Sequence, residues 1–209
     1  MEKSVSLSDV TLAILAGGAG SRMGQPKGLL RIQGRPILEY LIEQFHWPGP
    51  SWLVTAPGRE HPPGWERFDR EITDPVSGSG PLRGVLTALE QLDTPLLLVA
   101  TVDMPGMGNE NLTWLVSQIT SKTAMGIMCS RRTGNETSVE PFPVLLRKEG
   151  LVGVRERLET GRLSVHGLLS DPGFITVTSP TDWNERVWTN LNNLRDFKDY
   201  LSGLGRPEG

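Results

Sequence analysis

Short, fully apolar segments alternate with amphipathic segments along most of this chain. Residues 95–102, PLLLVATV, form a continuous apolar run with the length of a strand that is buried on both faces. Residues 35–45, RPILEYLIEQF, instead repeat apolar side chains at the spacing of one helical face. Strands that alternate with helices predict an α/β fold, here a single three-layer domain whose mostly parallel, Rossmann-like sheet is flanked by helices.

The same two patterns recur over the rest of the chain, without a repeat or a linker long enough to divide it. We therefore predict one domain over residues 1–209, with short flexible tails at about 1–8 and 203–209. Prolines within residues 139–147 predict a strand that lies at an edge or bends, and Asn193 is a predicted helix cap. The predicted strands are 10–16, 51–56, 70–73, 95–102, 124–130, 139–147 and 174–179, and the predicted helices are 35–45, 81–92, about 112–119, 152–160 and 192–205.

Composition argues against several classes of function. The net charge of −3 provides no field that would attract nucleic acid or an anionic membrane. The single cysteine, Cys129, rules out internal disulfides and a cysteine-rich zinc site. No apolar run approaches the ~18 residues of a membrane span, and the N-terminal segment MEKSVSLSDV lacks the apolar core of a signal peptide. We therefore expect a cytoplasmic protein that acts on small molecules, with no nucleic-acid or membrane partner.

The predicted topology also says where a ligand would bind. In mostly parallel sheets, ligands lie beyond the carboxyl ends of the strands. The residues that follow Ala16, Ala56, Thr73 and Val102 each leave a predicted strand at that end. We expect these four positions to border one site.

A glycine-rich loop follows the first predicted strand and reads GGAGSRMGQPKG over residues 17–28. It does not fit a P-loop, because Lys27 is followed by glycine rather than Ser or Thr, and Met23 breaks the dinucleotide fingerprint. Exposed N–H groups of the glycines, together with Arg22 and Lys27, suit a triphosphate and a departing pyrophosphate. We favour a nucleotide-binding loop over a plain turn, and hydride transfer stays open as the weaker alternative.

Four segments together resemble the molybdenum cofactor guanylyltransferases. They are LAGGAGSRMGQPKGLLRIQGRPILE at 15–39, ITDPVSGSGPLRGVLTAL at 72–89, VATVDMP at 99–105 and NLN at 190–192. The resemblance implies a nucleotide-diphosphosugar-transferase-like fold. It also implies that GMP passes from GTP to the phosphate of a molybdenum-bearing pterin, with Mg²⁺ as cofactor and pyrophosphate as product. Molybdoenzymes or their chaperones stay open as protein partners.

The resemblance further implies roles for individual residues. Other interpretations remain for some of them: Asp74 before a proline is typical of an Asx turn, Asp103 fits the start of a turn, and the asparagines near 190 fit a helix cap. The implied residues are Leu15, Ala16, Gly17, Gly18, Lys27, Asp74 and Asp103 for the nucleotide, Arg22, Lys27 and Asp103 for catalysis, Asp103 for Mg²⁺, and Asn190 and Asn192 for the pterin.

The base and the acceptor are the least constrained parts of this hypothesis. A glycine at position 17, where cytidine-using relatives carry a larger residue, favours guanine. Several family members have an asparagine where this chain has Thr55, and the segment ETSVEPFPVLL at 136–146 departs from the family pattern. A cytidylyltransferase for the same pterin, a sugar- or polyol-phosphate nucleotidyltransferase and a non-catalytic GTP-binding relative therefore remain as alternatives.

Overall fold

The computed structural model describes residues 5–18, 23–76, 78, 80–121, 123–134 and 136–204. These residues form an α/β fold around one seven-stranded sheet, which confirms the predicted fold class. The strands are β1 (Val10–Leu15), β2 (Arg31–Ile32), β3 (Arg35–Pro36), β4 (Ser51–Thr55), β5 (Arg70–Thr73), β6 (Leu96–Thr101), β7 (Gly126–Thr133), β8 (Glu136–Arg147) and β9 (Phe174–Thr178). The helices are α1 (Ile37–Phe45), α2 (Pro81–Glu90), α3 (Asn109–Ser117), α4 (Leu151–Glu159) and α5 (Leu194–Gly203).

The sheet has the strand order β5-β4-β1-β6-β8-β7-β9. β8 runs antiparallel to both of its neighbours, and the other six strands are parallel to one another. The chain moves outward from β1 to β4 and β5, and then returns to place β6 on the other side of β1. This reversal next to β1 is the switch point at which open α/β sheets bind ligands.

α2 packs on β1, β4, β5 and β6, and α3 packs on β8. Helices typically pack on a core through an apolar stripe. In α1 that stripe is Ile37, Leu38, Leu41 and Phe45, and none of these side chains is exposed. α2 begins at Pro81, as predicted, because the first turn of a helix does not need the N–H that proline lacks. α1 packs against α3, and α2 packs against α4.

The proline-containing strand is predicted to lie at an edge or to bend, and the structure shows the bend in a strand that is not at an edge. β8 lies between β6 and β7, inside the sheet. Its ladder with β7 jumps from Met128–Val144 to Cys129–Glu140, which leaves residues 141–143 unpaired in a bulge. Both prolines therefore lie where the ladder requires no N–H donor.

A short hairpin and the chain ends complete the fold. β2 and β3 pair through a turn at Gln33 and Gly34, both of which have positive φ, and the sequence patterns did not predict this hairpin. Near the termini, Leu7–Asp9 forms a short 3₁₀ helix and α5 ends at Gly203. Within the described ranges, no helix is both long and apolar enough to span a membrane.

Candidate functional site

A cavity of about 470 Å³ opens where β1, β4 and β6 end. Its volume lies within the range of small-molecule sites. The structure brings together residues that follow four different strands, as the topology predicted. The lining includes Leu15, Gly17, Gly18, Lys27, Ala56, Arg59, Asp74, Gly84, Asp103, Phe142 and Asn190.

The two glycines after β1 lie at the cavity wall for different reasons. A Cβ on Gly17 would stand 3.2 Å from the Ala56 nitrogen and 3.4 Å from its Cβ, so this glycine lets the ends of β1 and β4 approach closely. A Cβ on Gly18 would meet nothing within 4 Å, so its surface is open to a ligand. Ala16 is buried and is not among the cavity residues; its N–H donates to the Val54 carbonyl.

One wall of the cavity is built from charged partners. Lys27 Nζ donates to Asp103 Oδ2 at 2.5 Å, and Thr101 Oγ1 donates to Asp103 Oδ1 at 2.5 Å. The Lys27 and Asp103 side chains are 16% and 18% exposed, so both are largely shielded yet still reach the cavity. The main chain of Asp103 is held as well, because its carbonyl accepts from the Leu191 N–H at 2.8 Å.

Lys27 reaches this wall because of its own loop. It begins a short 3₁₀ helix, Lys27–Leu29, directly after Pro26. A Cβ on the next residue, Gly28, would stand 3.0 Å from Pro62, so a glycine there lets the loop after β4 pack against this turn. The spacing of Lys27 within the glycine-rich loop therefore reflects packing as well as chemistry.

The facing wall carries a second carboxylate, that of Asp74. Asp74 follows β5, its N–H donates to the Thr55 carbonyl at 2.9 Å, and its Oδ1 accepts a short hydrogen bond from Thr87 of α2. Burial raises the pKa of Asp74 above its usual range, against smaller opposing effects of the Thr87 hydrogen bond and the Arg83 charge.

α2 starts at the same wall and approaches it closely. A Cβ on Gly84 would stand 3.1 Å from Leu15 Cδ2 and 3.6 Å from Asp74 Oδ2. The first turn of this helix lines the cavity at Gly80 and Pro81, and helix N-termini favour anions and hydrogen-bond acceptors. This wall therefore places the Asp74 carboxylate beside the N-terminus of α2, in contrast to the Lys27–Asp103 ion pair.

Arg59 and Phe142 are among the cavity residues that the sequence did not single out. Arg59 lies in the proline-rich loop after β4, lines the cavity and donates from Nη1 to the Gly18 carbonyl at 3.0 Å. Phe142 reaches the cavity from the bulge in β8. A lone arginine in a loop and a phenylalanine between prolines carry no spacing signal, so only the folded chain reveals them.

Other predicted site residues are spread more widely. Asn190 lines the cavity, whereas the Asn192 side chain is exposed and does not line it. Asn193 caps α5 by accepting from the N–H groups of Arg195 and Asp196, which confirms the predicted cap. Thr55 donates its hydroxyl to Glu71 rather than to the cavity. Arg22 lies outside the described residues.

The donor set at Asp103 fits magnesium but not an all-protein metal cage. Among the described residues, no group of three His, Cys, Asp or Glu side chains stands close enough together to hold a metal ion. Mg²⁺ in nucleotide enzymes binds one or two carboxylates and completes its shell with phosphate oxygens and water. Each Asp103 oxygen keeps a free lone pair beside its present hydrogen bond, so this carboxylate has room for such an ion.

Comparisons with known proteins identify the family to which this chain is similar. The profile of a family described as the MobA-like NTP transferase domain matches residues 12–170. A probable molybdenum cofactor guanylyltransferase from Flavobacterium johnsoniae is 27% identical over 193 residues, which cover 92% of this chain and 97% of that protein. A molybdenum cofactor guanylyltransferase from Shewanella halifaxensis is 31% identical over 161 residues, 76% of this chain and 78% of that protein.

A solved structure shows the same fold. Molybdopterin-guanine dinucleotide biosynthesis protein A from Archaeoglobus fulgidus superposes on this chain with a TM-score of 0.75. The superposition covers 93% of this chain and 98% of that protein at 20% sequence identity. At that identity the likeness concerns the fold alone.

Proposed function

Because this chain belongs to the MobA-like NTP transferase domain family and is a nucleotidyltransferase, we propose that it transfers GMP from GTP to a pterin phosphate. The acceptor is the phosphate of a molybdenum-bearing pterin, and pyrophosphate is released. The observation that carries the proposal is the meeting of Lys27 and Asp103 in one cavity with Gly17, Gly18 and Asp74. The proposed compartment is the cytoplasm.

The nucleotide base is assigned to the wall formed by the end of β1 and the start of α2. Its plane would lie over the backbone of Leu15, Ala16 and Gly17, where Gly17 has no Cβ to stand in the way. Asp74 stands at the same wall and offers a carboxylate oxygen to N–H or O–H groups of the base or ribose. The names of the relatives support guanine as that base.

The phosphates are assigned to Gly18, Lys27 and Arg22. Lys27 Nζ carries three N–H donors, so it can keep its contact with Asp103 and still donate to a phosphate oxygen. The acceptor would enter from the side of Asn190, with Asn192 at the outer rim. Mg²⁺, held by Asp103, would supply positive charge to the phosphate oxygens.

The transfer needs no general base from the chain. The acceptor phosphate is already an anion near neutral pH, so its oxygen attacks the α-phosphorus directly while the bond to the β-phosphate oxygen breaks. The negative charge that develops on pyrophosphate is what Lys27 and Arg22 neutralise. Positioning and charge neutralisation therefore supply the catalysis.

A transfer assay tests this proposal. Purified protein is incubated with Mg²⁺, the molybdenum-bearing pterin and each of GTP, CTP, ATP and UTP labelled at the α-phosphate. The proposal predicts label in the pterin product from GTP, with equimolar pyrophosphate. Transfer from CTP instead would identify a cytidylyltransferase. Binding of GTP without transfer would identify a non-catalytic GTP-binding protein.

A further inference from the structure

A second cavity, of about 230 Å³, lies beside the loop that follows Asp103. Tyr40 and Gln44 of α1, Tyr200 of α5 and Gly106 of the loop itself line it. The first cavity contains one end of this loop, at Asp103, and the second contains its middle. We call residues 103–107 the Asp103 loop.

Two side chains from distant helices hold the Asp103 loop by its carbonyls. Tyr200 Oη donates to the Pro105 carbonyl at 2.7 Å, and Gln44 Nε2 donates to the same oxygen at 2.9 Å. Gln44 also makes a short hydrogen bond to the Met107 carbonyl. Tyr200 is 5% exposed, so its hydroxyl bond forms where water does not compete freely.

The segment that precedes α5 packs against the Asp103 loop from another side. A Cβ on Gly106 would lie 1.8 Å from the Arg186 carbonyl oxygen, so backbone packs directly on backbone there. The Leu191 N–H donates to the Asp103 carbonyl at 2.8 Å. The Arg186 guanidinium stands over the Tyr200 ring at 5.3 Å, which fixes the ring that donates to Pro105.

These contacts leave the Asp103 loop little freedom to shift. A metal-binding carboxylate loses affinity when its supporting hydrogen bonds are removed, because the ligand then samples unproductive positions. We infer that Tyr200 and Gln44 are positioning residues that act through the Asp103 loop to fix the Asp103 carboxylate for Mg²⁺. The inference rests on the proposed function, which assigns Mg²⁺ to Asp103.

The test compares Tyr200→Phe with Tyr40→Phe. The first variant removes only the hydroxyl that donates to Pro105. The second removes a hydroxyl that lies 3.2 Å from Tyr200 Oη and, within the described part of the chain, makes no hydrogen bond to the loop. The two variants therefore differ chiefly in the hydrogen bond to the Pro105 carbonyl.

The readout is Mn²⁺ binding in the presence of GTP without pterin, followed by electron paramagnetic resonance of the free ion. We expect Tyr200→Phe to weaken Mn²⁺ binding by about 10-fold, at the low end of the effect of removing support from a metal ligand. The KM for GTP at saturating Mg²⁺ is expected to stay unchanged. Gln44→Ala is expected to act in the same direction, and Tyr40→Phe to match wild type.

Each contrary outcome has a definite meaning. A lower melting temperature of Tyr200→Phe with unchanged Mn²⁺ binding would overturn the inference, because the hydroxyl would then serve stability alone. An equal loss in Tyr40→Phe would overturn it as well. Asp103→Asn distinguishes the metal assignment from the positioning role. If Asp103→Asn loses Mn²⁺ binding and Tyr200→Phe does not, only the positioning role is refuted. Unchanged Mn²⁺ binding in Asp103→Asn would refute the metal assignment itself.

Discussion

The two walls of the main cavity each carry one aspartate, and the two aspartates have different partners. Asp103 pairs with the Lys27 ammonium and accepts from the Thr101 hydroxyl, so charge faces charge. Asp74 accepts from the Thr87 hydroxyl, and burial raises its pKa. Asp74 directly follows β5 and Asp103 lies two residues beyond β6, so both stand past the carboxyl end of a parallel strand and strand position alone does not distinguish them.

This difference suggests that the two aspartates serve different functions within one cavity. A carboxylate beside a lysine suits a metal ion and phosphates. The carboxylate can bind the metal ion while the ammonium binds a phosphate oxygen, so neither charge is left without a partner. A partly buried carboxylate that already accepts from a hydroxyl suits hydrogen bonds to the N–H or O–H groups of a base or ribose. We therefore assign chemistry to the Asp103 wall and nucleotide recognition to the Asp74 wall.

The largest expected effect comes from Asp103→Asn. The amide keeps nearly the same shape and can still accept from Thr101, so the fold should be retained. The charge is lost, and we expect the turnover rate to fall about 10³-fold, which is typical when a preorganised charge is removed from a reacting centre. Steady-state transfer assays with circular dichroism as the folding control check this. Near-normal turnover in a folded variant would remove Asp103 from the mechanism.

Lys27→Met separates the contribution of Lys27 from that of Asp103 on the same wall. It removes the positive partner but leaves the Asp103 carboxylate available. We expect kcat to fall about 10²-fold through lost charge neutralisation, whereas Mn²⁺ binding should persist or tighten because the competing ammonium is gone. Paired kinetics and Mn²⁺ titration measure both. Loss of Mn²⁺ binding together with activity would show that the two residues do not play separate parts.

Asp74→Asn is expected to act on binding rather than on chemistry. The KM for GTP should rise about 10-fold, the scale of one hydrogen bond to a charged group, with little change in kcat. The measurement is a full GTP titration beside Asp103→Asn. A fall in kcat as large as that of Asp103→Asn would show that the two walls do not have separate functions.

The same variant should alter the pH dependence of stability. A carboxyl whose pKa is raised by folding stabilises the protein most below its unfolded pKa, about 3.9, and that contribution is lost as pH rises through the folded pKa. An amide does not titrate. The melting temperature of Asp74→Asn relative to wild type should therefore increase between about pH 4 and pH 7. A constant or shrinking difference would show that Asp74 is not destabilised by burial.

Arg59→Ala has the smallest expected effect. Arg59 is exposed and donates to Gly18, so we expect the KM for GTP to rise only about threefold. Arg59→Lys, which keeps the charge, is the matched control and should lose less. A KM for GTP in Arg59→Ala that equals the wild-type value would deny Arg59 any part in GTP binding.

The architecture around the site was largely accessible from the sequence. The apolar run at β6 and the stripe of α2 predicted their elements because each follows a local period. The topology rule then places Gly17, Asp74 and Asp103 beyond the same end of the sheet from the order of the strands alone. These inferences need only residue type, spacing and order.

The contacts that shape the site were not accessible in the same way. The Lys27–Asp103 pair joins residues 76 positions apart, and Arg59 reaches Gly18 from a loop whose path depends on packing at Gly28. The bulge that directs Phe142 inward depends on how β8 pairs with β7. Loop conformations of this kind are set by tertiary packing, for which local sequence has no periodic signal.

Calorimetric titration of GTP into wild type, Asp103→Asn and Asp74→Asn, each with and without Mg²⁺, tests the division between the walls most directly. We predict that Mg²⁺ tightens GTP binding in wild type and in Asp74→Asn but not in Asp103→Asn, while Asp74→Asn binds GTP more weakly in both conditions. An undiminished Mg²⁺ effect in Asp103→Asn, or its loss in Asp74→Asn instead, would contradict the account.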